Sequence, residues 1–245
     1  MSVIDMHAHF GRWQVDFTDY RPDDLRAVLD RCNISAMIFS SAKSILYDME
    51  AGNRDTFAFI GLDDRFYGYV TVNPSLPEKS LDEIRRYSGH PGFKGIKYHP
   101  DYACSVIDDP RMDPIYAFAE KQGYPVLIHA MGNTNCSPLR LIPVNRKFPE
   151  LKLIGAHTGG AFPELACQAA QQTNENVYFD LSCNCIRKGR VESIVAAAGA
   201  DRVLFGSDFT LIDPAYIIGE VEEADLSAAD RQKIYFSNSA KLFGF

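Results

Sequence analysis

No stretch of the sequence reaches the roughly 18 to 20 apolar residues that a membrane span requires, and the first residues lack the basic segment and apolar run of a secretory leader. A cytoplasmic protein with no membrane partner is expected. Cysteine is sparse: Cys32, Cys104, Cys136, Cys167, Cys183 and Cys185 are scattered along 245 residues. That distribution suits reduced thiols and argues against a disulfide framework. Only Cys183 and Cys185 are close, and a C-x-C without a second pair is a weak metal signal; two small residues near a strand end are the simpler reading. Positive charge is also short. The formal net charge is −7, and the basic residues within 21–43 and 85–97 are interleaved with acids, so no stripe is offered to a phosphate backbone and nucleic acid is not an expected partner. A Gly-rich phosphate turn after an early strand is missing, which weighs against a doubly wound open sheet. No repeat, low-complexity tract or long linker divides the chain. Residues 1–245, 46% of them hydrophobic, are therefore read as one domain with a large core.

What is present is an alternation. Eight short apolar, β-branched or aromatic runs recur at Val3–His9, Ala36–Ser41, Phe66–Val72, Phe93–His99, Pro125–Ala130, Leu151–Thr158, Asn176–Ser182 and Arg202–Asp208. Amphipathic segments of helical length lie between them. Pro22–Cys32 opens with Pro-Asp-Asp, Glu78–Tyr87 precedes Gly89, Asp113–Gln122 precedes Gly123, and Ala161–Gln172 carries Pro163 in its first turn, all recognisable helix ends. Leu25, Val28 and Leu29 fall at helical spacing, as do Ile115, Phe118 and Ala119, which gives each helix one face to lay on a sheet. In 40–65, Gly52-Asn53 is placed to break one long helix into two. Near-continuous apolar strands alternating with helices imply parallel strands covered from outside, and eight of them predict a slightly trimmed (β/α)8 barrel.

In such a barrel the active site forms at the C-terminal ends of the strands, and here those ends are polar. Strand 1 ends in His7 and His9, strand 4 in Lys97 and His99, strand 5 in His129, strand 6 in His157 and strand 8 in Asp208. Five of the six histidines fall there; His90 alone sits elsewhere, in a Gly-His-Pro-Gly loop. A lone strand histidine is ordinarily a hydrogen-bonded core or rim residue, but five on one face are hard to explain that way. Strand side chains alternate, so His7 and His9 point together into the mouth and Ala8 faces the helices. Neutral imidazoles with a carboxylate suit a borderline-soft divalent cation such as zinc.

The stretches IDMHAHF, GFKGIKYHP, VLIHA, LIGAHTGG, VLFGSDF and the closing KIYFSNSAKLFGF resemble the amidohydrolase superfamily. More narrowly they resemble its amidohydrolase-2 branch, which holds aminocarboxymuconate-semialdehyde decarboxylase and several lactonases. The resemblance covers nearly the whole chain. It implies one divalent metal, zinc or manganese, held by His7, His9, His129 and Asp208. His157 then stands beside a metal-activated water, and Asp208 doubles as proton carrier. Asp5, two residues before His7, is placed to orient a ligand from one layer deeper or to pair with a neighbour. Lys97 is expected as a cation for an anionic substrate, the carbamylated two-metal bridge being the alternative, and His99 as substrate contact or proton donor. Arg12, Asn184 and Arg187 offer further carboxylate-binding donors.

The expected substrate is a small, anionic carbonyl compound. Hydrolysis of a lactone, ester or amide is favoured; non-oxidative decarboxylation of an unsaturated or aromatic acid uses much the same residues. A TatD-type deoxyribonuclease also opens with H-x-H, but it ordinarily carries a glutamate where this chain has Gly95 to His99, and the acidic composition offers DNA little. A silent binding barrel has no need for the full polar set. Outer helices of a barrel can pair, so a homodimer is compatible with the pattern.

Overall fold

The computed structural model describes residues 1–14, 20–132, 134–183 and 187–245. Eight strands run β1 Val3–Phe10, β2 Ile34–Ser41, β3 Phe66–Val72, β4 Phe93–Tyr98, β5 Val126–Ile128, β6 Leu153–Gly155, β7 Val177–Asp180 and β8 Val203–Leu204. All neighbours are parallel and in chain order. The ring closes where Met6 N–H donates to the Phe205 carbonyl at 3.1 Å and Asp208 N–H to the His7 carbonyl at 2.8 Å, with Ala8 bridged to Phe209. The (β/α)8 barrel is as expected.

Helices alternate with the strands for the reasons visible in the sequence. Helix α1, Pro22–Arg31, starts on its proline, carries Asp23 and Asp24 in its first turn, and buries Leu25, Val28 and Leu29. Helices α2 (Ala42–Leu46) and α3 (Met49–Phe59) follow β2, and α4 spans Pro77–Tyr87. Helix α5, Asp113–Gln122, ends on Gly123 at φ 71°, a left-handed stop that glycine adopts without penalty. Helices α6 (Leu141–Lys147), α7 (Pro163–Gln172), α8 (Arg190–Ala198), α9 (Pro214–Glu223), α10 (Ala228–Gln232) and α11 (Asn238–Phe243) complete the described set. None is long and apolar enough to cross a membrane.

Two local expectations are corrected. The break in 40–65 falls at Tyr47-Asp48, where the Asp48 carboxylate caps the Ala51 N–H, and Gly52 and Asn53 lie inside α3. Gly52 is there for contact: a Cβ on it would stand 2.1 Å from the Ser44 backbone nitrogen. The Asn53 amide donates to the Thr71 carbonyl at 3.0 Å and accepts from the Thr71 N–H at 2.8 Å, which ties α3 to β3. Gly52→Ala is therefore expected to force α3 off α2 and destabilise the fold by about 1–3 kcal/mol, measurable as a lower urea midpoint. The other correction concerns the last strands. Strands β6 and β8 end three and four residues before the expected His157/Thr158 and Asp208, because the chain turns out of the sheet there: His157 has φ 67°, Thr158 φ 46° and Asp208 φ 63°. Left-handed conformations at non-glycine residues cost free energy and cluster at functional sites.

Inside the ring, Met6, Ile38, Tyr69, Leu127, Ile154 and Leu204 pack as one layer, floored by Leu242 and Phe243 of α11. Tyr69 OH donates to the Met6 carbonyl at 2.8 Å, so the one polar tip in this layer is satisfied. Pairing of β1 with β2 slips between Asp5 and Ala8. The slip lets Met6 enter this layer while His7 reaches the mouth above it, and Ala8 joins the outer core with Leu25 and Leu29.

Candidate metal centre

The polar strand ends do converge. His7 and His9 project from β1, Lys97 from β4, and His99, His129, His157 and Asp208 from the residues just past β4, β5, β6 and β8. Proton positions follow from the partners. His7 Nδ1 lies 2.8 Å from Asp180 Oδ2, which only accepts, so the proton sits on Nδ1 and Nε2 presents a lone pair. His9 Nδ1 lies 2.9 Å from the Ser40 hydroxyl, which can donate or accept, and 3.2 Å from the Ser40 carbonyl, which only accepts; donation to the carbonyl gives His9 the same tautomer. The two Nε2 atoms are 3.2 Å apart, and Asp208 Oδ1 is 3.5 Å from the first and 3.2 Å from the second.

Three acceptors thus face one another inside the barrel. A proton shared among them would relieve this, but burial, aided by the Lys97 ammonium, holds His7 well below its usual range, and burial lowers His9 as well. Burial also works to raise the Asp208 carboxyl, yet the contacts with the His9, His7 and His157 imidazoles outweigh it and keep the group below the ordinary carboxylate range. A divalent cation satisfies all three, and two neutral imidazoles with a carboxylate are a fitting donor set for it. Lys97, fully buried, donates to His7 Nε2 at 2.8 Å and is pushed down to about 8 by burial. It is bonded to His7 and is not among the residues that line the cavity, unlike the expected anion contact.

Sequence reasoning missed Asp180. Its Oδ1 accepts the His157 N–H at 3.0 Å and the Ser182 N–H at 2.8 Å while Oδ2 holds His7. Asp180 is an acid at the end of β7, so the strand-end rule applied to the other strands finds it too. Asp5 instead accepts the Ser207 N–H at 3.0 Å, the Ser207 hydroxyl at 2.5 Å and the His7 N–H at 3.2 Å. It pins the end of β8 to β1 and touches no imidazole, and burial pushes it up to about 7 against those hydrogen bonds. His157 Nδ1 donates to the Ser182 carbonyl at 2.8 Å, so its Nε2 accepts from His129 Nδ1 at 2.9 Å. His129 Nε2 lies 3.9 Å from Asp101 Oδ2, and Cys136 lies close to the same pair. The His99 ring stacks on His129 with centroids 3.9 Å apart and planes at 16°.

Above this group opens a cavity of about 410 Å³, walled by Trp13, Tyr102, Met131, Leu211 and Ile212 and reached by His9, His99, His157 and Asp208. Trp13 stands edge-on to His9 at 5.0 Å, and Tyr102 packs on His99 at 4.5 Å. His99 Nδ1 is buried without a hydrogen-bond partner among the described residues, a cost that a bound acceptor or donor removes. The aromatic wall takes the place expected for arginines: Arg12 is exposed and outside the lining, Arg187 is exposed on a separate groove between α8 and α9, and Asn184 lies outside the described residues.

A parallel barrel with two imidazoles and a carboxylate at the C-terminal mouth defines a metal-centred enzyme of the amidohydrolase type. The family model described as Amidohydrolase matches residues 4–245, and the chain belongs to that family. Among curated proteins it is similar to 2-amino-3-carboxymuconate-6-semialdehyde decarboxylase of Dictyostelium discoideum, 26% identical over 184 residues, 61% of this chain and 51% of the relative. The chain thus spans about half the length of that relative. Among solved structures, 2,6-dihydroxybenzoate decarboxylase bound to 2,6-dihydroxybenzoate superposes with a TM-score of 0.84 at 17% identity, covering 100% of this chain and 99% of that one. A dihydroxybenzoic acid decarboxylase of a Polaromonas species, holding manganese and 2-nitroresorcinol, gives 0.79 at 18% identity over 99% and 97%. At such identities the superpositions establish the fold. The favoured hydrolysis of a lactone, ester or amide is overturned here: the curated relative that the chain is similar to is a decarboxylase.

Proposed function

We propose that the protein is a metal-dependent, non-oxidative decarboxylase of a small aromatic or unsaturated carboxylic acid. The observation that carries the reading is the trio of acceptors His7 Nε2, His9 Nε2 and Asp208 Oδ1, the first of them also bonded to Lys97, gathered beside a cavity with an aromatic wall. These three residues would hold one divalent ion, manganese or zinc; manganese accompanies a related decarboxylase fold. When bound, the ion supplies positive charge that draws the acid's oxygens and stabilises the charge left as carbon dioxide departs.

The chain's own residues do the rest. The rings of Trp13 and Tyr102 lie along the mouth and suit a flat substrate while keeping water off the reacting carbon. His99 offers its unpartnered Nδ1 to a polar substituent. Asp208 would carry the proton that replaces the carboxyl group, supported by its position on the cavity wall, and His157, bonded to Ser182 and His129, lines the same space. The balance is one carbon–carbon bond broken, carbon dioxide released, one carbon–hydrogen bond formed and no water consumed. No disulfide joins the described cysteines, which supports a reducing compartment such as the cytoplasm.

The test is turnover of hydroxybenzoates and unsaturated acids by manganese- and zinc-loaded protein in deuterium oxide. Carbon dioxide release with one deuterium at the vacated carbon is expected. Consumption of an acid derivative with water added and no carbon dioxide would sink the reading.

A further inference from the structure

We infer that the substrate carries a single carboxylate and that its other polar substituents are uncharged. The inference rests on the decarboxylase reading and narrows the class of acid that the cavity takes. The cavity wall carries the argument. Its polar groups beside the centre include the Trp13 indole, the Gln14 amide, the His99 imidazole, the Tyr102 phenol and the Cys183 thiol, types that are mostly neutral at pH 7. Among the described residues no lysine or arginine lines the cavity. The residues outside those described, 15–19, 133 and 184–186, contain neither lysine nor arginine.

Cations close to the site are engaged elsewhere. Lys97 donates to His7 Nε2 at 2.8 Å. Arg190 is buried behind the end of β7; its Nε donates to Glu220 Oε1 at 2.9 Å and its Nη2 to the Leu181 carbonyl at 2.8 Å and to Glu220 Oε2, so its charge is matched. The charges of the centre lead to the same limit. Lys97 and Asp180, both fully buried and both bonded to His7, offset one another. Asp208 offsets half the charge of a divalent ion, and one substrate carboxylate offsets the other half. A second carboxylate would stand unpaired against an aromatic wall, with the Asp101 carboxylate 3.9 Å from the lining residue His129. Taking an unpaired charge out of water is costly, and a nearby like charge adds to that cost.

Uncharged polar substituents, by contrast, meet groups that lack partners. Trp13 Nε1 and His99 Nδ1, both on lining residues, are buried without a hydrogen-bond partner among the described residues. A neutral group that bonds either atom recovers the cost of leaving it unpaired. A ring hydroxyl both donates and accepts, so it serves the indole N–H and either tautomer of the imidazole.

Trp13 is the only tryptophan in the chain and stands edge-on to His9 at 5.0 Å, so its fluorescence reports occupancy of the cavity without turnover. The test titrates zinc-loaded full-length protein with salicylates that carry a hydroxyl, a carboxamide or a carboxylate para to either ring substituent. The carboxamide matches the carboxylate in size and shape and lacks its charge. Hydroxyl and carboxamide probes are expected to bind, and each carboxylate probe to bind about 100-fold more weakly than its carboxamide. A gap below about 10-fold overturns the inference. So does the failure of carboxamide and carboxylate alike while the hydroxyl binds, because size then sets the limit, and so does the absence of binding by all of them. Carbon dioxide release from the same probes is followed separately. Binding in the expected order with no release removes the decarboxylase reading and leaves the charge limit of the cavity standing.

Discussion

Asp208→Asn protein is expected to fold normally, to emerge without its divalent ion, and to release no carbon dioxide from any acid the parent accepts. Asparagine matches aspartate in shape, so the turn at φ 63°, the Asp208 N–H bond to the His7 carbonyl and the packing around it persist. What goes is the negative charge 3.2 Å from His9 Nε2 and 3.5 Å from His7 Nε2. An amide there satisfies a bare imidazole by donating an N–H, which removes the reason for a cation to enter. The same substitution deletes the group placed to carry the proton, a role worth roughly 10²- to 10⁴-fold by itself. Elemental analysis beside circular dichroism checks both halves. His7→Ala and His9→Ala should behave alike in metal content and turnover. A folded Asp208→Asn protein that keeps its metal and its rate would remove Asp208 from the centre and with it the proposed chemistry.

Much of this centre was legible in the sequence because a parallel barrel concentrates its chemistry where strands end, and strands announce themselves by apolar runs. His7, His9 and Asp208 were found by that rule alone and meet in space. Three features were not legible. His157 and Asp208 sit on left-handed turns past very short strands, and a strand pattern does not encode where the chain leaves the sheet. The orientation of His129 depends on a chain of hydrogen bonds through His157 and Ser182 that no spacing predicts. A charged residue near a strand end reads as a substrate contact, whereas Lys97 is fully buried and bonded to His7. Gly52 misled for a related reason, since glycine marks a break or a close approach, and only the neighbouring helix distinguishes them.

Asp180→Asn is the sharper test of how the centre is held, because Asp180 lies one layer behind the ligand atoms. Its carboxylate gathers four donors: His7 Nδ1–H at 2.8 Å, the His157 N–H at 3.0 Å, the Ser182 N–H at 2.8 Å and the Ser182 hydroxyl. An asparagine has one accepting oxygen. If that oxygen stays with the two backbone N–H groups, its amide nitrogen faces His7 Nδ1 and must donate to it, which moves the His7 proton to Nε2. The ligand atom is then capped by hydrogen, and an ion binds only after the tautomer reverts at a cost. Metal affinity is expected to fall about 10- to 100-fold, the usual effect of losing a carboxylate behind a ligating histidine. Stability should drop by roughly 1–3 kcal/mol as a buried donor loses its acceptor. Chelator competition measures the first, urea unfolding of metal-depleted protein the second, and nitrogen-15 shifts of the imidazoles report the tautomer directly. An Asp180→Asn protein with parental metal affinity and His7 still protonated at Nδ1 would show that Ser182 Oγ, 2.9 Å from the same nitrogen, fixes the ring without help.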